Sequence, residues 1–395
     1  MSNNFYEFFC PVKIIAGQAA LEHAPYELSI RGGSKALVIT DSGIKAAGLL
    51  EHVLTVFEKS QVEIVTVYDQ VPPDSCLSVI KEIAGIYRQR QCDSMIAIGG
   101  GSVIDTSKGV NILVSEGGDD LLAYAGHGHL KRPLKPLFVV PTTAGTGSEV
   151  TSIAVISDSE KGRKVAFGSH VLFPDVAILD PRMTQSLPPF ITAMTAMDAL
   201  THACEAAIGL AKNPISDAYA HGAIKKISQN LMTVMDNPGD LDSRMELAEA
   251  ATMAGIAFSN SLVGVVHSLG HSVGAVCHLP HGMCMSIFLP YALEYNLESC
   301  REEIAELLLP LAGAERFAQV PEQQRAETSI GAIREIRDQL YQHCQLPRTL
   351  KETGKVNKDQ FESIARATLN DGSIIFNAKE VDFDDAMSLL EAAWD

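Results

Sequence analysis

The chain is 395 residues long, 46% hydrophobic and 20% charged, with a formal net charge of −17. That length suits two compact domains with a large buried core, and the acidic balance excludes nucleic acid and anionic membrane surfaces as main partners. An anionic cofactor stays open, because a helix N-terminus binds phosphate whatever the net charge.

In chain order, short β-rich runs alternate with amphipathic stretches through the first half. Strands are expected at 36–40, 62–67, 95–98, 137–140, 153–156 and 176–179, and helices near 44–58, 75–90 and 103–115. This alternation predicts an α/β domain over 1–185, with a parallel, Rossmann-like sheet covered by helices on both faces. The apolar run of residues 5–9 reads as an edge strand. Its own sheet could cover it, or pairing across a two-fold axis in a homodimer or higher homo-oligomer. After residue 187 strand-like runs stop. Pro188-Pro189, Asn213-Pro214, Asn237-Pro238-Gly239 and Leu279-Pro280 punctuate long apolar segments, so 186–395 reads as all-helical. A cleft between two such domains is a favoured ligand site.

The eight cysteines form no C-x-x-C pair and read as reduced thiols. No signal-peptide pattern and no run of eighteen apolar residues is visible, so the expected location is cytoplasmic, with no membrane partner.

Two loops in the first domain carry ligand chemistry. The strand at 95–98 runs into Gly99-Gly100-Gly101-Ser102 and then a helix start. Glycines let the backbone approach phosphate oxygens, and the free N–H groups favour negative charge; a plain tight turn would also use them. The run from Pro141 to Glu149 sets threonines and glycines at another strand's C-terminal end, where open sheets bind ligands. Asp41 ends the first of these strands. It could accept a ribose hydroxyl or cap the next helix.

In the second domain Asp198 and His202 stand four apart on a helical segment and share one face. The stretch from His267 to His281 holds four histidines, His267, His271, His278 and His281. Buried unpaired polar groups are costly, so this pattern reads as a site for one divalent metal, the other reading being hydrogen-bonded core histidines. Nitrogen and oxygen ligands of this kind suit Fe(II) or Zn(II).

These motifs resemble the iron-dependent (group III) alcohol dehydrogenases, a family that includes lactaldehyde, 1,3-propanediol and methanol dehydrogenases. The likeness rests on Gly99-Gly100-Gly101-Ser102-x-x-Asp105-x-x-Lys108, on Pro141 through Glu149, on Asp198-x-x-x-His202, and on Gly264-x-x-His267-Ser268-x-x-His271 through His281-Gly282. The resemblance implies a dinucleotide-binding first domain, a metal-binding second domain, and the cofactors NAD and Fe2+, with Zn2+ as the alternative. It assigns the metal to Asp198, His202, His267 and His281. It gives the pyrophosphate to Gly100, Gly101 and Ser102, the cofactor cleft to Thr142, Thr143 and Thr146, and a ribose or phosphate contact to Lys164. It matches Asp41 to the position where an acid favours NAD over NADP. His271 would sit near the nicotinamide without ligating and act as the catalytic proton relay. The implied reaction is reversible hydride transfer between NAD(H) and a short-chain primary alcohol or aldehyde. Ile153, Phe167 and Phe258 are expected to line the substrate pocket from their nearness to these motifs. One departure is Pro73-Asp74, where many members carry an Asn that helps hold the dinucleotide. The competing reading is a dehydroquinate-synthase-like lyase, which uses NAD and a metal but a ligand set of one glutamate and two histidines.

Overall fold

A computed structural model of the chain describes residues 5–158 and 163–395. The chain divides into two compact units, residues 10–187, and residues 188–395 with residues 5–9.

The first unit contains the strands β1 (Lys13–Ala16), β2 (Lys35–Ile39), β3 (Glu63–Tyr68), β4 (Ser94–Gly99), β5 (Gly126–His127), β6 (Leu137–Pro141), β7 (Ile153–Asp158), β8 (Arg163–Gly168) and β9 (Val176–Leu179). Its helices are α1 (Ala24–Ile30), α2 (Ser42–Ala46), α3 (Leu49–Phe57), α4 (Leu77–Gln89) and α5 (Gly101–Glu116). Six strands form a parallel sheet in the order β1-β9-β6-β4-β2-β3. Period-two alternation feeds a core on each face. Leu37, Ile39, Met95, Ala97, Leu137 and Val139 pack with Ile80 and Ile83 of α4 and Ile104 of α5. Val38, Ile96, Ile98, Phe138, Val140 and Ile178 pack with Leu28 of α1 and Val53 of α3. From β2 the chain moves to β3 on one side and returns to β4 on the other. That makes the C-terminal ends of β2 and β4 a topological switch point, where doubly wound sheets bind ligands.

Three details depart from the expectations. The strand read at 153–156, β7, lies outside the main sheet; it pairs antiparallel with β8 in a small sheet completed by β5, and packs on α5. The helix read at 44–58 is two helices, because Gly48 at φ 73° breaks it. Residues 5–9 form no strand. Phe8 instead stacks on Tyr219 at 5.9 Å, and the Phe9 N–H donates to Asn260 Oδ1 at 2.7 Å. The Asn260 amide also donates to the Phe9 carbonyl, so one side chain pairs the backbone that a neighbouring strand would have paired.

The helices of the second unit are α6 (Pro189–Ile208), α7 (Pro214–Asp236), α8 (Leu241–Ser261), α9 (Val265–Cys277), α10 (His281–Glu306), α11 (Leu308–Gln319), α12 (Arg325–Cys344), α13 (Phe361–Thr368) and α14 (Phe383–Ala392), with short connections up to α12 and longer ones containing 3-10 turns on either side of α13. Helix starts follow capping chemistry. Asn213 caps α7 ahead of Pro214, and Asp240 caps α8. From Thr192 to Ile208 nearly every residue of α6 is buried, which marks it as the central helix, packed by α7, α8 and α10. Among the described residues no single helix is long and apolar enough to cross a membrane.

Candidate functional site

The four expected metal ligands converge within the second unit. Asp198 and His202 project from one face of α6, His267 from the first turn of α9, and His281 from the first residue of α10. One ligand atom from each lies within 4.8 Å of all the others. His281 Nε2 is 3.3 Å and His202 Nε2 4.0 Å from Asp198 Oδ1. The imidazoles of His202 and His267 stack at 4.6 Å, and those of His267 and His281 stand 5.4 Å apart.

Burial makes this arrangement informative. Asp198, His202 and His267 are at most 5% exposed. Yet Asp198 Oδ1, His202 Nδ1 and His267 Nε2 are buried polar atoms without a hydrogen-bond partner. Such orphans are costly unless something pairs them. A tetrad of three nitrogens and one carboxylate oxygen fits a divalent Fe or Zn ion. Burial pushes the His202 imidazole down to about 3, and His267 well below its ordinary value, which keeps both rings neutral as ligands must be. Burial alone would raise Asp198, but the His202 and His281 rings hold its carboxyl below the usual carboxylate range.

Close packing sets the positions. A Cβ at Gly282 would lie 2.4 Å from the Met194 carbonyl oxygen, one turn before Asp198 on α6. The His-Gly pair therefore lets the start of α10 touch the α6 backbone. Gly282→Ala is expected to cost about 1–3 kcal/mol by overpacking and to displace His281; thermal melts and metal titration check this.

Two carboxylates escaped the sequence reading. Glu205, three residues after His202, is 2% exposed and lies 2.5 Å from His267 Nδ1. Burial pushes its carboxyl up to about 7, against the donated Val266 N–H. Asp371 Oδ2 lies 2.8 Å from His271 Nδ1. Burial would raise Asp371, but the His271 ring outweighs it and holds the carboxyl below the usual range. The His271 ring lies 5.2 Å from the His281 ring, and His271 is outside the tetrad. Glu205 had a signal, its position on the Asp198–His202 helix face. Asp371 had none, lying 100 residues from its partner. Phe258 stacks on His202 at 4.2 Å, and His278 is an exposed residue closing α9 in a left-handed conformation.

In the first unit the two expected loops meet at the C-terminal ends of β4 and β6. A Cβ at Gly100 would touch Thr143 at 3.3 Å, and one at Gly101 would press on Thr146 at 2.9 Å, so the glycines give the loops room to approach. Gly100 caps α5 without a side chain, leaving first-turn N–H groups for an anion. Thr142 Oγ1 is buried without a partner at the end of β6. The Ser102 hydroxyl donates to the Pro73 carbonyl, so this residue offers its backbone rather than its side chain. Asp41 Oδ1 caps α2 through Ile44 N at 3.0 Å, the capping role left open from sequence, and its second oxygen remains. Lys164 Nζ lies 3.4 Å from Asp74 Oδ1. Of the expected pocket residues, Phe167 is wrongly placed: at 1% exposure it belongs to the sheet core.

Asp105 and Lys108 explain why the glycine loop and the threonine loop hold their places. Lys108, fully buried on α5, donates to the carbonyls of Ser148 (2.8 Å), Thr151 (2.9 Å) and Ile153 (2.8 Å) and to the Thr151 hydroxyl (2.8 Å). Asp105 accepts from Ser148 Oγ at 2.7 Å and from Val155 N at 2.9 Å.

Comparison with known proteins agrees with both halves of this geometry. Residues 11–181 match the family model for iron-containing alcohol dehydrogenase, and residues 192–394 match that for the C-terminal part of the Fe-containing alcohol dehydrogenase family. The chain is 34% identical to a 1,3-propanediol dehydrogenase of Klebsiella pneumoniae, over 96% of each chain. It is 32% identical to an NAD-dependent methanol dehydrogenase of Bacillus methanolicus, over 98% of this chain and 99% of that protein. The structure of an alcohol dehydrogenase from Oenococcus oeni superposes with a TM-score of 0.93 at 33% identity, over 99% of this chain and all of the other.

Proposed function

The chain belongs to the iron-containing alcohol dehydrogenase family, and on that premise we propose that it interconverts a short-chain primary alcohol and its aldehyde with NAD(H), using one divalent metal. The observation that carries the reading is the convergence of Asp198, His202, His267 and His281, three of them buried and each of those three with a polar atom that has no hydrogen-bond partner. The names of the relatives, NAD-dependent methanol dehydrogenase among them, support the cofactor and the alcohol class.

When bound, the metal supplies Lewis-acid polarisation of the substrate oxygen, and NAD supplies the hydride acceptor. The chain's own residues do the rest. Gly100 and Gly101 with the first turn of α5 hold the pyrophosphate, and Thr142, Thr143 and Thr146 hold the cofactor from the neighbouring loop. The second Asp41 oxygen accepts a ribose hydroxyl and repels a 2′-phosphate, which selects NAD. Lys164 is a cation exchangeable between Asp74 and a cofactor oxygen. His271, its Nδ1 engaged by Asp371, takes or returns the alcohol proton at Nε2. The exposed Phe5, Tyr6 and Phe9 support self-association as a homodimer or larger homo-oligomer, and eight free thiols support a cytoplasmic location.

The test is NADH absorbance with a panel of short alcohols and aldehydes, using Fe(II)-loaded, Zn(II)-loaded and chelator-stripped protein. Turnover is expected only with metal. His271→Ala is expected to lower kcat by about 100-fold or more while leaving metal content intact; loss of metal would make His271 a ligand. A metal- and NAD-bound protein inert to every alcohol and aldehyde, yet active on a dehydroquinate synthase substrate, would replace this reading with the lyase.

A further inference from the structure

We propose that Glu205 is a positioning residue that fixes which nitrogen of His267 carries the ring proton, and thereby sets the affinity of the tetrad for a divalent metal. The proposal rests on the ligand set above. The two oxygens of Glu205 have different partners. Oε1 accepts the backbone N–H of Val266 at 2.7 Å, and Oε2 lies 2.5 Å from Nδ1 of His267. A peptide N–H can only donate, so the Val266 contact fixes the orientation of the carboxylate. Oε2 then accepts a hydrogen bond from Nδ1–H, which keeps the ring proton on Nδ1 and leaves Nε2 bare. Nε2 is the buried atom left without a partner at the tetrad.

The surroundings are shaped for this contact. A Cβ at Gly264 would lie 3.2 Å from Glu205 Oε1 and 2.8 Å from Asn377 Oδ1. Asn377 Oδ1 accepts the N–H of Val265 at 3.2 Å. The first two N–H groups of α9 are thus capped by side chains from elsewhere in the fold, and one of the two caps also orients the ligand on that helix. Histidine ligands depend on such an acceptor behind the ring, which fixes tautomer and angle.

The discriminating variant is Glu205→Gln, which keeps the shape. Its single carbonyl oxygen must face the Val266 N–H, because an amide NH2 there would meet another donor. The NH2 group then faces Nδ1 of His267, forces it to accept, and moves the ring proton to Nε2, where it blocks a metal. If Glu205 were only a helix cap, Gln would serve as well. Glu205→Gln is therefore expected to show wild-type circular dichroism and metal-free melting. Its affinity for Co(II), titrated into chelator-stripped protein and read by visible absorption, should fall by about 10- to 100-fold. Nitrogen-15 NMR of histidine-labelled, metal-free protein should show the His267 proton on Nδ1 in the wild type and on Nε2 in the variant. Equal Co(II) affinity in both proteins, or a wild-type His267 protonated at Nε2, would overturn the proposal. A wild type that carries the Nδ1 proton but binds no Co(II) would overturn the ligand set instead. Should the variant fail to fold, the wild-type tautomer decides alone.

Discussion

Asp198→Asn is expected to lower the affinity of the tetrad for divalent metal by about a thousand-fold or more, about 4 kcal/mol, and to abolish metal-dependent turnover. Asp198 is the one anionic group in the set. Without it a doubly charged ion would sit among neutral imidazoles in a site almost closed to water, with nothing to offset its desolvation. In the metal-free protein burial is outweighed by the His202 and His281 rings, which hold the Asp198 carboxyl below the usual range. Above the ordinary carboxylate pKa its ionised form is therefore favoured in the fold, and a neutral isostere forfeits that stability. The variant should melt below the wild type without metal and lose the upward shift that added metal gives the wild type. Scanning calorimetry with and without Zn(II) reads both effects in one experiment. Full metal retention in the variant would reduce the ligand set to three histidines.

What the sequence made legible follows from the range of the interactions. The central strands β2, β4, β6 and β9 are buried on both faces and read as short apolar runs bounded by turn residues. The edge strand β1 has only Ile14-Ile15-Ala16 after Lys13, mostly exposed, too short a stretch to stand out as a strand. The strand β7 was visible as a strand, but its alternating burial fits any half-covered sheet, so nothing local says that it leaves the main sheet for β8. The pair Asp198 and His202 is a local helix-face pattern and needs no tertiary knowledge. His267 and His281 could be chosen from four neighbouring histidines only through resemblance, since the chain's return onto α6 decides which of them reach the site. Glu205 shares the Asp198–His202 helix face in the sequence, but nothing local says that it is buried against His267. Asp371 meets His271 only because a distant turn folds against α9. The Lys108 and Asp105 pair was recognised as part of a motif, but its task, holding a loop some forty residues away, is a property of the fold.

That task leads to the second large effect. Lys108→Met is expected to destabilise the first unit by about 3–5 kcal/mol, the usual loss when one partner of a buried charged network is removed. Burial pushes the Lys108 ammonium down to about 8, so at neutral pH it is still protonated and can serve all its acceptors. Methionine approximates the length of the buried lysine side chain but donates nothing. The carbonyls of Ser148, Thr151 and Ile153 would then lose their Lys108 donor, with only long contacts from Thr151 left to Ser148 and Ile153, and each acceptor left unpaired costs about 1–3 kcal/mol. Asp105, whose carboxyl burial already raises and Lys108 lowers, would lose its nearest positive charge and be pushed up further. The functional consequence is expected in the threonine loop, proposed above to hold the cofactor, rather than in the tetrad. Ser148, held by both Lys108 and Asp105, anchors the end of the run that carries Thr142, Thr143 and Thr146 against the glycine turn. NAD affinity should therefore fall by about tenfold or more, about 1.4 kcal/mol, while metal content per chain stays at the wild-type value. Calorimetric titration of NAD and metal analysis of the same preparation separate the two. Asp105→Asn, which can still accept from Ser148, should show the same pattern with a smaller loss. A Lys108→Met protein that melts with the wild type and binds NAD as tightly would mean that the loop is held by its own turns. The ammonium would then be a passenger in the core.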